Sequence, residues 1–152
     1  MLVYVDVDGT LISKTDAVRP YVVELLQGLK DLGCTIVVWS AGGANYASKK
    51  INMIDNRLRY VGNYDGDTLN SFVQNYEFKG EGVHRAVNLK RIGQTAFYID
   101  DHEGLLGAMK FVGHGTFLVP FYTGSETDTW LLRALDAVRA AVKETVGADG
   151  SR

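Results

Sequence analysis

The chain has 152 residues, enough for one domain with a real core. A net charge of -2, with 46% hydrophobic and 22% charged residues, is that of an ordinary globular protein and gives no overall attraction to nucleic acid or an anionic membrane. One cysteine, Cys34, excludes an internal disulfide, and no apolar stretch reaches about 18 residues, so the chain is read as intracellular, cytoplasmic and without a membrane partner.

Leu2 to Leu11 reads Leu-Val-Tyr-Val-Asp-Val-Asp-Gly-Thr-Leu. Its apolar part is a strand buried on both faces, as in a parallel sheet. Asp6 and Asp8 are two apart, so a continuing strand would send both carboxylates out on one face. Such a pair repels unless a cation or a proton intervenes. Pro20 suits the first turn of a helix carrying Val22, Leu25, Leu26, Leu29 and Leu32, with Gly33 as its stop. Cys34 to Trp39 is a second buried strand, with Cys34 a small hydrophobe and Trp39 in the core; it ends at Ser40. Ala47, Ile51, Ile54 and Leu58 predict a helix over 44–57. Arg59 to Tyr64 reads as a third, short strand, and 65–78 as a small hairpin or structured loop.

Val83, Ala86, Val87 and Ile92 predict a helix closed by Gly93. Thr95 to Ile99 is another apolar strand, ending in Asp100-Asp101. A helix from about 103 to 111, a last strand at 116–121 and a C-terminal helix through Leu131, Leu135, Val138 and Val142 complete the order. Strands alternating with helices predict an α/β fold, a parallel sheet with helices on both faces. One domain spans 1–146, with 65–78 as a possible small insertion and 147–152 as a flexible tail.

Three apolar strands thus end in polar residues: Asp6/Asp8, Ser40 and Asp100/Asp101. Ligands of open α/β sheets bind outside the carboxyl ends of the strands. If these strands are neighbours, four carboxylates and a hydroxyl meet in one crevice, an all-oxygen set that suits Mg²⁺ better than zinc. His84, His102 and His114 lack metal-ligand spacing; His102, next to the acidic pair, is a candidate to line the crevice, and the others read as surface. Lys49, Lys50, Arg57 and Arg59 read as a solvated helix face, with a docking strip for an anionic polymer as the alternative.

In order along the chain, Asp6-Val-Asp-Gly-Thr10, Val37-Val-Trp-Ser40, a lysine at a helix start and Tyr98-Ile-Asp-Asp101 resemble the motifs of the haloacid dehalogenase (HAD) superfamily, mostly Mg²⁺-dependent phosphatases. The resemblance spans roughly Leu2 to Phe121 and implies a three-layer α/β/α, Rossmann-like, HAD-like fold. It implies a phosphomonoester hydrolase in which Asp6 is the nucleophile that forms an aspartyl-phosphate, and Asp8 the acid/base, with its main-chain carbonyl on the metal. Lys79 is favoured as the motif lysine over Lys90 by position. Ser40 would donate to the phosphoryl group, and Gly9 and Thr10 would support the loop with N–H groups facing the phosphate. Asp101 aligns with the direct Mg²⁺ ligand and Asp100 with a water-mediated one, and that order stays open.

Relatives often carry a large cap domain; here 11–18 is too short for one, and 41–78 leaves room only for a small insertion. A capless frame implies an open site and a phosphorylated substrate that is a small molecule or a polymer end. The motifs loosely resemble the 3′-phosphatase domain of phage-type polynucleotide kinases, which keeps a polynucleotide 3′-phosphatase or a nucleotidase, and so a nucleic-acid partner, as alternatives. A non-catalytic phosphate-binding protein on the same scaffold is a third reading, against which stand the retained Asp6 and Lys79. A receiver domain would carry its acidic pair after the first strand, the reverse of the order here. Nothing in the sequence sets the oligomeric state.

Overall fold

The computed structural model describes residues 1–62 and 64–150. Five strands form one all-parallel sheet: β1 (Leu2–Asp6), β2 (Thr35–Ser40), β3 (Asn75–Phe78), β4 (Ala96–Asp100) and β5 (Gly115–Leu118). Their spatial order is β3-β2-β1-β4-β5. The helices are α1 (Val22–Asp31), α2 (Ala44–Tyr60), α3 (Gly82–Arg91), α4 (Glu103–Val112) and α5 (Trp130–Gly150). The fold is therefore α/β, Rossmann-like and consistent with a HAD-like architecture, as the alternation of elements predicts. No helix among the described residues is long and apolar enough to cross a membrane.

Period-two alternation divides the core between the two faces. Val3 and Val5, Ile36 and Val38, and Phe97 and Ile99 join the side chains of α1, α2 and α5. Tyr4, Val37, Trp39, Ala96 and Tyr98 join those of α3 and α4. On this second face Tyr4 stacks on Tyr98 at 4.8 Å between centroids, and Trp39 leans on both. The chain starts at the centre, runs outward through β2 and β3, then crosses back to β4 on the other side of β1. That reversal puts a crevice between the carboxyl ends of β1 and β4.

The segment from 59 to 78 departs from the sequence reading. Arg59 and Tyr60 are the last residues of α2 rather than a strand, and the third strand is Asn75–Phe78, paired with β2 from Val37↔Asn75 to Ser40↔Phe78. Asp55 organises the change. It is buried inside α2, holds Arg59 one turn on at 2.9 Å, and accepts the Leu69 N–H at 3.0 Å, which pins the 3₁₀ turn Leu69–Phe72. The last four residues of the 65–78 stretch are thus part of the sheet. Of the expected tail 147–152, residues 147–150 fall within the span of α5, and 151 and 152 lie outside the described residues.

His114 is a second departure. It is buried, with Nδ1 accepting the Ala96 N–H at 2.9 Å and Nε2 2.8 Å from the Ala86 carbonyl, so it ties β4 to α3 instead of facing water.

Replacing Asp55 by Ala strands the buried Leu69 amide and is expected to lower stability by about 1–3 kcal/mol, measured as a fall in the urea midpoint at constant m-value.

Candidate active site

The register builds the site. Asp6 faces Trp39 across β1 and β2, Ser40 pairs with Phe78, and Asp100 pairs with Leu118, so all lie along the carboxyl edge. Asp6 shares the parity of Tyr4, and Asp100 that of Tyr98, so both carboxylates leave on the α3/α4 face. Lys79, directly after β3, reaches across that face. Its Nζ lies 2.8 Å from Asp6 Oδ1 and 2.6 Å from Asp100 Oδ2, and 5.6 Å from the centroid of the Trp39 ring. The Lys79 amide donates to the Ser40 carbonyl at 2.9 Å, which ties β3 to the end of β2. Lys90, the other candidate, donates to Thr95 Oγ1 at 2.8 Å and is remote from this ion pair.

Asp6 is buried, and Asp100 is fully so. Burial first, then the nearby Asp100 charge, push the Asp6 carboxyl well above the ordinary carboxylate range against the pull of Lys79. Burial likewise raises Asp100, opposed by Lys79 and by the His102 amide, which donates to Asp100 Oδ1 at 3.0 Å. Burial would lower Lys79, but the two carboxylates outweigh it and its ammonium is held above its ordinary range. Asp101 completes the group: one carboxylate oxygen each of Asp6, Asp100 and Asp101 lie within 4.8 Å of one another. Thr10 Oγ1 donates to Asp6 Oδ2 at 3.0 Å and lies 3.5 Å from Asp101 Oδ1. Three carboxylates against one ammonium leave an excess of negative charge in an all-oxygen cluster, a donor set that fits a hard divalent cation such as Mg²⁺.

Asp8 does not continue the strand. β1 ends at Asp6, the chain turns, and Asp8 is exposed, its carboxylate accepting the Tyr46 hydroxyl from α2 at 2.8 Å. Burial first, and then the bond to Asp8, push the Tyr46 phenol up to about 12, so it stays protonated and keeps donating. The two carboxylates of the opening motif therefore have separate environments. Ser40 Oγ accepts the Gly42 N–H at 3.0 Å, which leaves its own hydrogen free to donate.

The expectation that the Gly9 and Thr10 amides face a phosphate needs correction. The Gly9 N–H donates to the Ile12 carbonyl at 2.8 Å and the Thr10 N–H to Val7 at 3.2 Å, both inside the turn. These residues shape the loop instead. Gly9 has φ +79°, and a Cβ there would lie 2.4 Å from the Phe121 ring and 2.6 Å from Asp101 Oδ2.

What grips this loop is Arg19, which sequence reasoning missed. Its guanidinium is fully buried, donates to Asp128 at 2.9 and 3.0 Å, and sends its third nitrogen to the Gly9 and Thr10 carbonyls at 3.2 and 3.3 Å. The Tyr122 amide donates to the Gly9 carbonyl as well, at 2.9 Å. Burial would raise Asp128, but the hydrogen bonds from Arg19 and the Trp130 amide outweigh it and hold its carboxyl below the ordinary range.

Beside Lys79 lies a recess of about 410 Å³ lined by Ala41, Phe78, Lys79, Gly80, His102 and Leu105. His102 lines this recess, and His84 is exposed. A hollow of about 440 Å³ opens at the other end of the sheet among Met1, Leu2, Thr35, Gln94 and Thr95, without an ionisable side chain to do chemistry. Two of the four basic side chains of α2 are paired with carboxylates. Lys50 pairs with Asp16 at 3.0 Å, Arg57 donates to the Asp16 carbonyl, and Arg59 holds Asp55.

The family model described as NLI interacting factor-like phosphatase matches residues 1–145. Comparison with curated proteins found no match.

Breaking the Arg19–Asp128 pair with Arg19→Met is expected to cost about 3 kcal/mol in chemical denaturation at neutral pH. Because the Asp128 carboxyl is held low in the folded state, the pair's stabilisation is present above the unfolded carboxylate range near about pH 4 and disappears as pH falls through the lowered folded value. The gap between wild type and variant should narrow on acidification, leaving the share due to the Gly9 and Thr10 carbonyls.

Proposed function

Because the chain belongs to the NLI interacting factor-like phosphatase family, within the HAD superfamily, we propose that it is a Mg²⁺-dependent phosphomonoester hydrolase working through Asp6. The observation that carries this reading is the ammonium of Lys79 set between the carboxylates of Asp6 and Asp100 at the switch point of the sheet.

Asp6 attacks phosphorus, the bond to the leaving oxygen breaks, and an aspartyl-phosphate forms. An ionised carboxylate needs no base for this step, but it is repelled by an anionic substrate. Lys79 lowers that repulsion by placing one positive charge at the attacking group and within reach of a phosphoryl oxygen. Bound by Asp6, Asp101 and the Asp8 main-chain carbonyl, Mg²⁺ would supply the remaining positive charge. Asp100 suits a water-mediated role, since its buried carboxylate is already engaged by Lys79 and the His102 amide. Asp8 gives a proton to the leaving oxygen, then takes one from the water that attacks the phosphoenzyme and frees Asp6. Its exposure, and the Tyr46 hydroxyl that orients it, suit a group that exchanges protons with substrate and water. Ser40 donates to a phosphoryl oxygen with the hydrogen left over after it accepts from Gly42. Thr10 keeps Asp6 and Asp101 in register. Pairing of Lys50 with Asp16 and of Arg59 with Asp55 halves the free positive charge that α2 could offer a polynucleotide.

Asp6→Asn and Lys79→Met are each expected to lower kcat/KM for a phosphate monoester by at least about 10³ with the fold retained by circular dichroism, and chelation should abolish turnover reversibly. Full activity of Asp6→Asn would overturn the mechanism. Asp8→Asn should stall after the first half-reaction with a good leaving group. Mass spectrometry of acid-quenched protein would then find phosphate on the Asp6 peptide.

Saturating Mg²⁺ at about a hundred times its Kd should stabilise the chain by about 2.7 kcal/mol, seen as a higher Tm. Asp101→Asn should remove most of that rise.

A further inference from the structure

We infer that the recess beside Lys79 is the seat of the leaving group, and that it takes a phosphate monoester whose leaving group carries an uncharged aromatic ring. The inference rests on the phosphatase reading of Asp6 and Lys79 and adds to it a substrate class.

Phe78 is the first observation. It ends β3, stands next in sequence to Lys79, and is 54% exposed. The ring lies against the backbone of Gly80, where a Cβ would come within 2.2 Å of its edge, so no other residue at 80 would let the ring rest there. The backbone is held on both sides: the Phe78 carbonyl accepts from Arg85, and the next amide donates to Ser40. A large apolar ring exposed beside Lys79, rather than folded into the core, is a surface for something to lie on.

An imidazole forms the second wall. His102 caps α4, its Nδ1 accepting the Leu105 N–H at 2.9 Å. In the neutral ring the proton is then on Nε2, which leaves a flat imidazole with one donor. Leu105 and Ala41 supply aliphatic surface. Two planar rings and two aliphatic groups favour a planar apolar guest over a polyol or an alkyl chain.

Charge makes the same choice. The recess has one cation, Lys79, and both Asp6 and Asp100 already hold it. A leaving group bearing a second phosphate or carboxylate would find only the single His102 donor there. Both a free aryl phosphate and an aromatic side chain of a phosphoprotein present this chemistry.

The test is calorimetric binding, with Mg²⁺ present, of benzylphosphonate and ethylphosphonate. Their carbon–phosphorus bonds do not cleave, so leaving-group reactivity does not enter. Wild type should bind the benzyl compound at least about tenfold more tightly, the factor that 1.4 kcal/mol of contact provides. Phe78→Ala should cut that ratio about fivefold. Phe111→Ala, on a fully exposed ring of α4 outside the recess, should leave it unchanged. Equal affinities in wild type, or a ratio that survives Phe78→Ala, would overturn the inference while Mg²⁺-dependent turnover still stood. If neither phosphonate binds and no monoester is turned over, the phosphatase reading falls with it. Phosphonomethyl-phenylalanine, free and within a short peptide, separates the sources: tighter binding of the peptide supports a protein side chain, and equal or weaker binding supports a small molecule.

Discussion

The Lys79 ammonium lies within ion-pair distance of two carboxylates that belong to two different strands, and the architecture of the site follows from that contact. Three buried charges in low dielectric are costly unless each is compensated. Here compensation needs β3, β1 and β4 to bring their ends to one point, which the order β3-β2-β1-β4-β5 achieves. The aromatic group of Tyr4, Trp39 and Tyr98 forms the floor beneath it. The packing of that face therefore serves the charges as much as it serves stability.

A second fixed point holds the other side. Arg19 binds the carbonyls of the Gly9–Thr10 turn and is itself held by Asp128, so the loop after β1 is clamped from beyond β5. A carboxylate nucleophile must be held within a few tenths of an ångström of its line of attack. Thr10 transmits the clamp to Asp6 and toward Asp101. The chain thus fixes its reactive carboxylate from two directions, one electrostatic and one through backbone carbonyls.

Much of this was legible in the sequence, for a physical reason. β1, β2 and β4 are buried on both faces, so burial demands an unbroken apolar run, and the polar residue that ends each run marks the carboxyl edge. β3 was not legible. It is an edge strand, Asn-Tyr-Glu-Phe, half wet on both faces, and its composition does not distinguish it from a loop. Arg59 to Tyr64 drew a strand reading because it is rich in β-formers, yet the Arg59–Asp55 pair carries α2 through Tyr60. Arg19 has no local signal at all, since its partner lies 109 residues away. His114 reads as a surface histidine until Ala96 and Ala86 are seen at its two nitrogens. The acidic groups were legible as a set, but their division was not: only the end of β1 at Asp6 shows that Asp8 leaves the cluster for Tyr46.

The alternation that sends Tyr4, Asp6, Tyr98 and Asp100 to one face has a further consequence for how such a chain can change over time. A single-residue insertion inside β1 or β4 would exchange the two faces of that strand beyond the insertion. It would bury a carboxylate among the aliphatic side chains of α1, α2 and α5 and break the ion pair in one step. Two-residue changes would keep the face but move the carboxylate by about 7 Å along the strand, out of reach of Lys79. Viable length variation is thereby confined to the connections. β1 and β4 act as a ruler whose graduations are the carboxylates themselves.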